Sequence, residues 1–286
     1  MAIEKGVLYI VATPIGNLGD MTARAIDVLR AVDVIAAEDT RHSLPLLRHF
    51  GIKTPLLAFH EHNERDVGPA IIRRLQEGQA VALISDAGTP LISDPGYQLV
   101  RLARDQGIKV SPVPGASALI AALSVAGLPT DRFVFEGFLP ARAAARQERL
   151  KQLRDETRTL VFYESSHRIV EALRDMAEVF GAEREAVLVR ELTKRFETVR
   201  GDSLGNLCRW VQDDVDQQKG EFVLLVHGAP PVEEDAVRAE AERVLRVLLE
   251  ELPVKQAVGI AVRLTGLKKN LLYQQAVRIQ DEEAGG

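Results

Sequence analysis

The chain has 286 residues, of which 46% are hydrophobic, and a formal net charge of −5. This length favours about two domains with substantial apolar cores, and the single cysteine, Cys208, permits no internal disulfide. The charge argues against a protein that coats a polyanion, and no apolar run approaches the roughly 18 residues that cross a bilayer. Because the residues before Val7 do not resemble a leader, we expect a cytoplasmic protein with no membrane partner.

Strand and helix patterns alternate over residues 1–127. Apolar runs of strand length are each followed by a helical pattern, which is typical of a doubly wound domain with a parallel sheet. The strands are predicted at 7–12, 32–37, 55–59, 80–84 and 108–113. Helices are predicted from a cap at Asp20 or Thr22 to Leu29, and from Pro69 to Gln76. Ligands of such domains gather at the carboxyl ends of the strands.

The longest loop of this first half follows the fourth strand and has the sequence SDAGTPLISDPG, residues 85–96. Asp94 is predicted to cap the next helix, and Pro95 to occupy its first position, where no N–H is needed. The part of this stretch between the strand end and Asp94 is a loop of about eight residues. This exceeds the usual two to six of such units, and long loops at this edge are often functional. We therefore expect the loop to form the floor of a ligand site.

The pattern restarts after residues 127–129 and changes again after 229–231. Strands are predicted at 132–135, 159–163, 186–189, 198–200 and 221–226, with helices at 143–154, 168–180 and 203–212. These elements indicate a second α/β layer with a mixed sheet. Helices at 233–252, 254–264 and 267–279 follow, with a break at Thr265 and Gly266 and a frayed end over 281–286. The last helix pair fits a helix-turn-helix or a plain helical hairpin. The predicted domains are 1–127, 128–230 and 231–286.

Two stretches are locally basic although the chain is acidic overall. Residues 252–280 contain five basic residues and no acidic one, among them Lys255, Lys268 and Lys269. Residues 141–158 contain six basic and three acidic residues. Each stretch suits contact with phosphates, and each is equally consistent with a solvated helix face.

The common phosphate-binding and metal-binding motifs are not found. There is no GxxxxGK[ST] run, and the first strand-to-helix turn lacks the GxGxxG spacing, which argues against nucleotide hydrolysis and ordinary dinucleotide use. His60 and His62 form a pair, but zinc sites use three or four ligands, and neither HExxH nor a cysteine cluster is present. We therefore predict no metal.

Small turns and acidic residues recur where the predicted strands end. The acids are Glu38, Asp39, Glu61 and Asp86. Small residues let a flat adenosine approach the backbone, while a carboxylate accepts hydrogen bonds from ribose hydroxyls. The combination suits an adenosine ligand without a polyphosphate. The alternative for each acid taken alone is a helix cap or a turn former.

Eight short motifs occur along the chain: TPIGN (13–17), AEDTR (37–41), HEHN (60–63), SDAGTPLISDPG (85–96), PGASA (114–118), YESSHR (163–168), RELTK (190–194) and KGE (219–221). Together and in this order they resemble the tetrapyrrole methylase superfamily, and within it the bacterial branch that methylates ribosomal RNA. The resemblance covers almost the whole chain, including the helical end.

This resemblance implies two α/β domains of the tetrapyrrole methylase type plus a small C-terminal helical module. It also implies a homodimer, S-adenosylmethionine bound between the domains, and 2′-O-methylation of a cytidine in the decoding centre of 16S rRNA, on the small ribosomal subunit. Carried over by motif, the residues that would hold the methyl donor are Pro14, Ser85, Asp86, Ala87, Gly88, Leu91, Ser117, Ala118, Tyr163, Glu164 and Leu192.

Methyl transfer is an in-line displacement, and a general base would help because a protonated ribose hydroxyl is a weak nucleophile. His60 and Glu61 are predicted first for this role and Asp39 second, although His60 equally fits a turn cap. The residues predicted to contact RNA are Arg41, Asn63, Lys194, Lys255, Lys268 and Lys269. Two alternatives stay open. One is a small-molecule tetrapyrrole methylase, and the other is a non-catalytic nucleic-acid-binding protein that acts through its helical end.

Overall fold

The computed structural model describes residues 3–230 and 234–284. They fall into two compact units, the first ending at Ala229 and the second beginning at Pro230. Within these residues, no helix combines the length and the apolar character that a membrane span requires.

The first unit begins with a parallel sheet covered on both faces by helices. Its strands are β1 (Val7–Val11), β2 (Val34–Ala37), β3 (Leu56–Ala58), β4 (Val81–Ile84) and β5 (Lys109–Val113), in the order β3-β2-β4-β1-β5. Its helices are α1 (Ala23–Ala31), α2 (Thr40–His49), α3 (Glu64–Gln76), α4 (Tyr97–Asp105) and α5 (Ala118–Ala126). All strand pairs are parallel, so the predicted doubly wound sheet is confirmed.

Alternation along β1 explains the two helical layers. Val7, Tyr9 and Val11 pack in a cluster with α1 and α2, whereas Leu8 packs in a second cluster with α3 and α4. In this strand order the chain passes from β1 to β2 in one direction along the sheet and from β4 to β5 in the opposite direction. The crevice at the carboxyl ends of β1 and β4 is therefore the topological switch point, where ligands of such sheets bind.

A second sheet completes the first unit. Its strands are β6 (Phe133–Phe138), β7 (Thr159–Ser165), β8 (Glu185–Arg190), β9 (Thr198–Ser203) and β10 (Glu221–Val226), in the order β6-β7-β10-β8-β9. Only β6 and β7 run parallel, so the mixed sheet is confirmed. One face is covered by α6 (Ala143–Gln152), α7 (Ile169–Phe180) and α8 (Leu204–Asp213), and the other by α5.

The boundary predicted at residue 127 falls between α5 and β6, and thus between the two sheets. Leu119 and Leu123 of α5 are buried against Val161 and Val223 of the second sheet. This shared cluster joins the two sheets in one compact unit. The three domain limits stay a prediction.

The second unit contains three helices, α9 (Glu234–Glu251), α10 (Val254–Thr265) and α11 (Lys269–Ala284). Their common core includes Leu245, Val258 and Leu272. Gly266 ends α10 in the left-handed conformation, with φ 70°, at the predicted break. The predicted start of the first helix at residue 233 lies outside the described residues.

Two predicted helix ends are wrong. Helix α11 continues to Ala284, because Glu and Ala favour helix and the first glycine comes only at residue 285. Residues 285–286 of the predicted frayed end lie outside the described residues. Helix α3 begins at Glu64 instead of Pro69, since Glu64 and Asp66 in its first turn complement the helix dipole, and it continues through Pro69 although a proline there supplies no backbone donor.

Candidate active site

The loops that follow β1 and β4 are joined by backbone hydrogen bonds. Thr13 and Gly88 exchange N–H to carbonyl bonds of 2.8 and 3.1 Å. The Thr89 hydroxyl donates to the carbonyl of Ala116, at 3.0 Å, which ties in the loop after β5. Gly88 has φ +82°, and a Cβ there would lie 3.3 Å from Ile15 Cγ2. The strand ends at the switch point therefore form one fixed surface.

This surface and the second sheet enclose a cavity of about 440 Å³. The size is that of a small-molecule site, for which roughly 300–1,000 Å³ is usual. From the first half of the chain it is lined by Ile15, Glu38, Asp86, Ala87, Gly88, Thr89, Ile92, Ser93, Asp94, Ser117 and Ala118. From the second sheet and its loops it is lined by Phe138, Tyr163, Glu164, Ser165, Ser166, Val189, Leu192, Gly220, Glu221, Phe222 and Val223.

The loop after β4 does not start a helix where predicted. Helix α4 is preceded by Gly96, with φ +125°, and Asp94 makes no cap; its side chain lines the cavity. Gly96 has a φ that residues with a side chain rarely adopt, and a Cβ there would lie 2.8 Å from Leu83 Cδ2, so both the backbone and the packing favour glycine. This places Asp94 on the cavity side of the turn.

Leu91, predicted to hold the donor, is not among the residues that line the cavity. It packs against the apolar core beneath the first sheet, and Ile92 lines the cavity beside it. Leu91 and Ser93 have φ of +73° and +69°. Such angles are unfavourable for residues with a side chain, at roughly 1–3 kcal/mol each.

The segment after β8 shows the same kind of strain. Glu191 and Thr193 have φ of +51° and +64°, and Leu192 between them lines the cavity. Among the described residues, the four non-glycine positive-φ positions lie in these two segments. Backbone strain concentrates where surrounding structure holds a functional surface in place.

Three carboxylates line the first-sheet wall. The N–H of Asp86 donates to Glu38 Oε2 at 3.5 Å, and the N–H of Asp39 donates to Asp86 Oδ1 at 3.1 Å. Burial, reinforced by the charges of Glu38 and Asp86, raises the pKa of Asp94 to about 6, although the neighbouring Ser85 side chain opposes the shift. Burial, followed by the charge of Asp86, also raises the pKa of Glu38. Such a wall favours a positively charged ligand.

Glu164 on the opposite wall is buried, with 2% of its surface exposed. Its Oε1 accepts from the N–H of Ser165 at 2.8 Å and from Arg168 at 2.9 Å, whereas Oε2 has no partner in the described residues. Burial raises the pKa of the Glu164 carboxyl. A buried acceptor without a partner is costly, so a ligand donor group would stabilise this wall.

Tyr163 connects the two sheets at the cavity. Its hydroxyl accepts from the N–H of Leu119, in the first turn of α5, at 3.0 Å. Its ring lies edge-on to Phe135 and Phe138, with centroids 4.9 and 5.7 Å away. Burial raises the pKa of Tyr163.

These features fit the methyl donor that the motifs imply. Small residues leave the backbone accessible, an aromatic wall suits an adenine, and the unpartnered Glu164 oxygen suits an amino or hydroxyl donor. Eight of the eleven predicted donor residues line the cavity: Asp86, Ala87, Gly88, Ser117, Ala118, Tyr163, Glu164 and Leu192. Of the others, Pro14 lies between Thr13 and Ile15, and the Ser85 hydroxyl donates to the carbonyl of Ala87 at 3.3 Å.

The predicted base candidates lie outside the cavity lining. Asp39 caps α2, where its carboxylate accepts from the N–H of Arg41 at 2.8 Å, and this bond lowers the pKa of Asp39. His60 donates its N–H to Asn63 Oδ1 at 2.8 Å, and its buried Nδ1 has no partner in residues 3–230 and 234–284. Glu61 follows in the same turn and is exposed.

The residues predicted to contact RNA fall into three environments. Asn63 also donates to the carbonyl of Ala58 at 3.1 Å, so it closes the turn after β3. Arg41 pairs with Asp39, and 91% of its side chain is exposed. Lys255, Lys268 and Lys269 of the second unit are exposed and make no ion pair within the described residues.

Lys194 lies beside the cavity. Its Nζ contacts Glu191 at 2.9 Å and Glu221 at 2.8 Å. Its methylene groups lie against Gly16, in the turn after β1, where any Cβ would overlap them. Lys194 therefore links the first-sheet loop to the second sheet, and its charge is balanced by two carboxylates.

Sequence reasoning left several lining residues unassigned. The sequence predicts Glu38 only as an acid at a strand end and Asp94 only as a helix cap. Ser165, Ser166, Gly220 and Glu221 lie in or beside quoted motifs, which was an available signal. Phe222 and Val223 reach the cavity through the pairing of β10 with β7, which no local pattern reports. Across the described parts of the chain, no group of three or more His, Cys, Asp or Glu side chains is arranged to hold a metal ion.

Two family models match the chain. The model described as Tetrapyrrole (Corrin/Porphyrin) Methylases matches residues 7–208, and the model described as RsmI C-terminal HTH domain matches residues 235–280. The chain is similar to proteins named ribosomal RNA small subunit methyltransferase I. It is 61% identical to that of Pseudomonas aeruginosa over 279 residues, which cover 97% of this chain and 99% of the relative.

Other relatives with the same name are similar over comparable lengths. The Escherichia coli O157:H7 protein is 54% identical, with 97% of this chain and 96% of the relative covered. Among solved structures, diphthine synthase has a TM-score of 0.59 at 16% identity, covering 78% of this chain and 89% of that one. Cobalt precorrin-4 methyltransferase has a TM-score of 0.56 at 17% identity, covering 78% and 95%. At these identities the solved structures show the fold alone.

Proposed function

The chain belongs to the tetrapyrrole methylase family, and we propose that it methylates the 2′-oxygen of a cytidine ribose in the decoding centre of 16S rRNA. The observation that carries this proposal is the 61% identity, over 97% of the chain, to a protein named ribosomal RNA small subunit methyltransferase I. The same relatives favour ribosomal RNA over a tetrapyrrole as the acceptor.

S-adenosylmethionine is the methyl donor, and it supplies an electrophilic methyl group on a positively charged sulfur. We assign its binding to the backbone of Asp86, Ala87 and Gly88, to Ser117 and to Glu164. The acids of the first-sheet wall offset the charge of the sulfonium. Tyr163 and Leu192 supply apolar area for the adenine.

Rate acceleration comes mainly from alignment. Two strained segments, at residues 91–93 and 191–193, border the cavity and hold its walls in one arrangement. A fixed cavity of this kind would hold the donor in one orientation and so favour alignment of its methyl group with an incoming oxygen. His60, Glu61 and Asp39 stay predictions for proton removal.

We assign RNA contact to exposed cations on both units. Arg41 lies at the carboxyl edge of the first sheet, Lys268 immediately precedes the last helix of the second unit, and Lys269 is the first residue of that helix. The match of residues 235–280 to a helix-turn-helix model supports nucleic-acid contact by this unit. Asn63, Lys194 and Lys255 stay predictions for RNA contact.

We further propose that the protein acts as a homodimer in the cytoplasm, where it meets small ribosomal subunits. The support is the family resemblance. Sedimentation at micromolar concentration tests the dimer, and a mass of one chain of 31.5 kDa contradicts it.

The proposed function is tested by transfer of labelled methyl from S-adenosylmethionine. Acceptors are small ribosomal subunits that lack their own modifications, naked 16S rRNA and a tetrapyrrole precursor. We expect label in the RNA of the subunit. Label on the tetrapyrrole alone, or binding of donor with no transfer, contradicts the proposal.

A further inference from the structure

We propose that Lys194 is a positioning residue that fixes the two walls of the donor cavity relative to each other. Three of the sequence motifs, TPIGN, RELTK and KGE, meet at this side chain. The inference rests on the proposed function for the identity of the donor and is independent of the acceptor.

The stem of Lys194 lies against the first-sheet wall. Gly16 has φ +135°, and a Cβ built there would lie 2.6 Å from Lys194 Cγ. The stem therefore fills the space that a side chain at residue 16 would need. Ile15, the residue before this glycine, lines the cavity. The contact thus holds the turn that carries a lining residue.

The ammonium of Lys194 lies in the second-sheet wall. Its Nζ is 2.9 Å from Glu191 Oε1 and 2.8 Å from Glu221 Oε2. The two acids are also joined directly. Glu191 donates its N–H to the carbonyl of Glu221, and the N–H of Glu221 donates to Glu191 Oε1, both at 3.0 Å. Since Glu221 lines the cavity, a movement of the ammonium is passed on to the lining.

The KGE turn is packed around this pair of acids. Gly220 has φ +99°, and a Cβ there would lie 2.5 Å from Glu191 Cγ. The buried Arg190 donates from Nη1 to the carbonyls of Asp216 and Lys219, at 3.2 and 3.1 Å. The turn therefore offers the ammonium rigid partners.

The strained segment before Lys194 needs such a restraint. Glu191 and Thr193 have φ of +51° and +64°, which residues with a side chain adopt only when their surroundings hold them. Leu192 between them lines the cavity and shares a buried cluster with Ile15. Without the ammonium, the two carboxylates would repel each other and the segment could relax. The cavity wall at Leu192 would then move.

The charge of this bridge suits the donor better than a phosphate. One ammonium and two carboxylates leave one net negative charge, which attracts a sulfonium and repels RNA phosphates. The Lys194 side chain is only 25% exposed, whereas that of Arg41 is 91% exposed. These features favour a positioning role over the RNA contact that the sequence predicts for Lys194.

The test measures donor affinity with no acceptor present. Lys194→Met keeps the length of the stem and removes the ammonium. We expect its dissociation constant for S-adenosylmethionine, measured by calorimetry, to rise about 5- to 30-fold, because the walls are no longer preorganised. Lys194→Arg keeps the charge and should recover part of the affinity. Lys219→Met, the matched control, removes an exposed cation that pairs with Asp216 at 2.7 Å and should bind the donor like wild type.

A double-mutant cycle separates positioning from a general structural role. Gly16→Ala forces the Lys194 stem aside, and because the ammonium is held by two carboxylates, the stem cannot move without disturbing the bridge. The backbone strain of an alanine at residue 16 is present in both backgrounds and cancels in the cycle. We expect Gly16→Ala to weaken donor binding by a factor about threefold smaller in Lys194→Ala than in wild type.

Unchanged donor affinity in Lys194→Met overturns the proposal, and so do independent effects of Gly16→Ala and Lys194→Ala. Weaker binding of small ribosomal subunits with unchanged donor affinity would assign Lys194 to RNA instead. If Lys194→Ala does not fold, the Met and Arg variants decide the question. If wild type binds the donor but methylates no RNA, the proposed function fails and this inference stands, whereas wild type that binds no donor contradicts both.

Discussion

At the scale of single residues, Glu164 is the clearest sign of a missing ligand. Its Oε2 is buried and has no hydrogen-bond partner among the described residues. We expect Glu164→Gln to weaken donor binding at least tenfold, because a charge-assisted hydrogen bond contributes about 1.5–3 kcal/mol. Calorimetric titration with S-adenosylmethionine measures this. Glu183→Gln, an exposed acid in the turn after α7, is the matched control, and equal losses in the two variants would contradict the assignment.

Asp94 should also make stability depend on pH. Its folded pKa is raised from 3.8 to about 6, so the folded state favours the protonated form. Stability from this group is present at low pH and is lost as pH rises from about 4 to about 6.

In the protein without donor, Asp94→Asn removes this loss of folding stability at higher pH. We expect the variant to be more stable than wild type above the folded pKa, by about 1–2 kcal/mol because solvent screens this partly exposed group, and the difference to shrink towards pH 4. Urea unfolding across this pH range measures the effect. Asp105→Asn, at an exposed acid that ends α4, is the matched control. A difference independent of pH would mean that burial does not perturb Asp94.

Local sequence rules explain why Asp94 was predicted as a cap. Asp94 and Pro95 have the residue types of a helix start, and nothing local reveals that Gly96 reverses the chain against Leu83. Leu91 is a second case. Its position in the motif predicts a contact with the donor, whereas in the structure it has a positive φ and packs against the core. Motif order found the loop, and only packing determines which of its side chains line the cavity.

At the scale of elements, helices α6 and α7 are joined by a buried ion pair. Arg146, with 2% of its surface exposed, contacts Asp175 at 2.5 Å and Glu171 at 3.3 Å. The basic stretch at 141–158 therefore includes a buried structural cation. This differs from both predictions for that stretch, contact with phosphates and a solvated helix face. Charge counts along a sequence do not separate buried from exposed positions.

Arg146→Ala should destabilise the first unit by about 3–5 kcal/mol, because it leaves Asp175 buried without its partner. Urea unfolding monitored by circular dichroism measures the change. Lys151→Ala, on the exposed side of the same helix, should cost no more than about 0.5 kcal/mol. Similar losses for the two variants would contradict a special role for the pair.

Most elements follow from sequence periodicity. Strands β1, β2 and β4 of the first sheet are buried on both faces and form continuous apolar runs, so their positions and parallel arrangement are predictable from the sequence. The order β3-β2-β4-β1-β5 was not, because neighbouring strands are paired by tertiary contacts that leave no local signal. The cavity wall from β10 was missed for the same reason.

At the scale of the whole molecule, residues 252–280 of the second unit hold five basic residues and no acidic one in a chain with net charge −5. We expect the double variant Lys268→Ala with Lys269→Ala to bind small ribosomal subunits more weakly. Its salt dependence should be shallower, since each lost phosphate contact reduces the slope of log K against log salt by about 0.7–0.9.

Filter binding at several salt concentrations measures both quantities. Arg243→Ala is the matched control, because Arg243 already pairs with Glu240 at 2.7 Å. Donor binding should be unaffected in both variants, since the donor cavity is lined by residues of the first unit alone. An unchanged salt slope in the double variant would show that these lysines do not contact phosphate.

The most direct test of the account locates the transferred methyl group. Small ribosomal subunits that lack their own modifications are methylated with the purified protein, and their 16S rRNA is digested to nucleosides for mass spectrometry. We predict one new 2′-O-methylcytidine, mapped by its resistance to alkaline cleavage to the decoding centre. A methyl group on a base, or on a ribose elsewhere in the RNA, would contradict the proposed reaction even though the fold and the donor cavity remained.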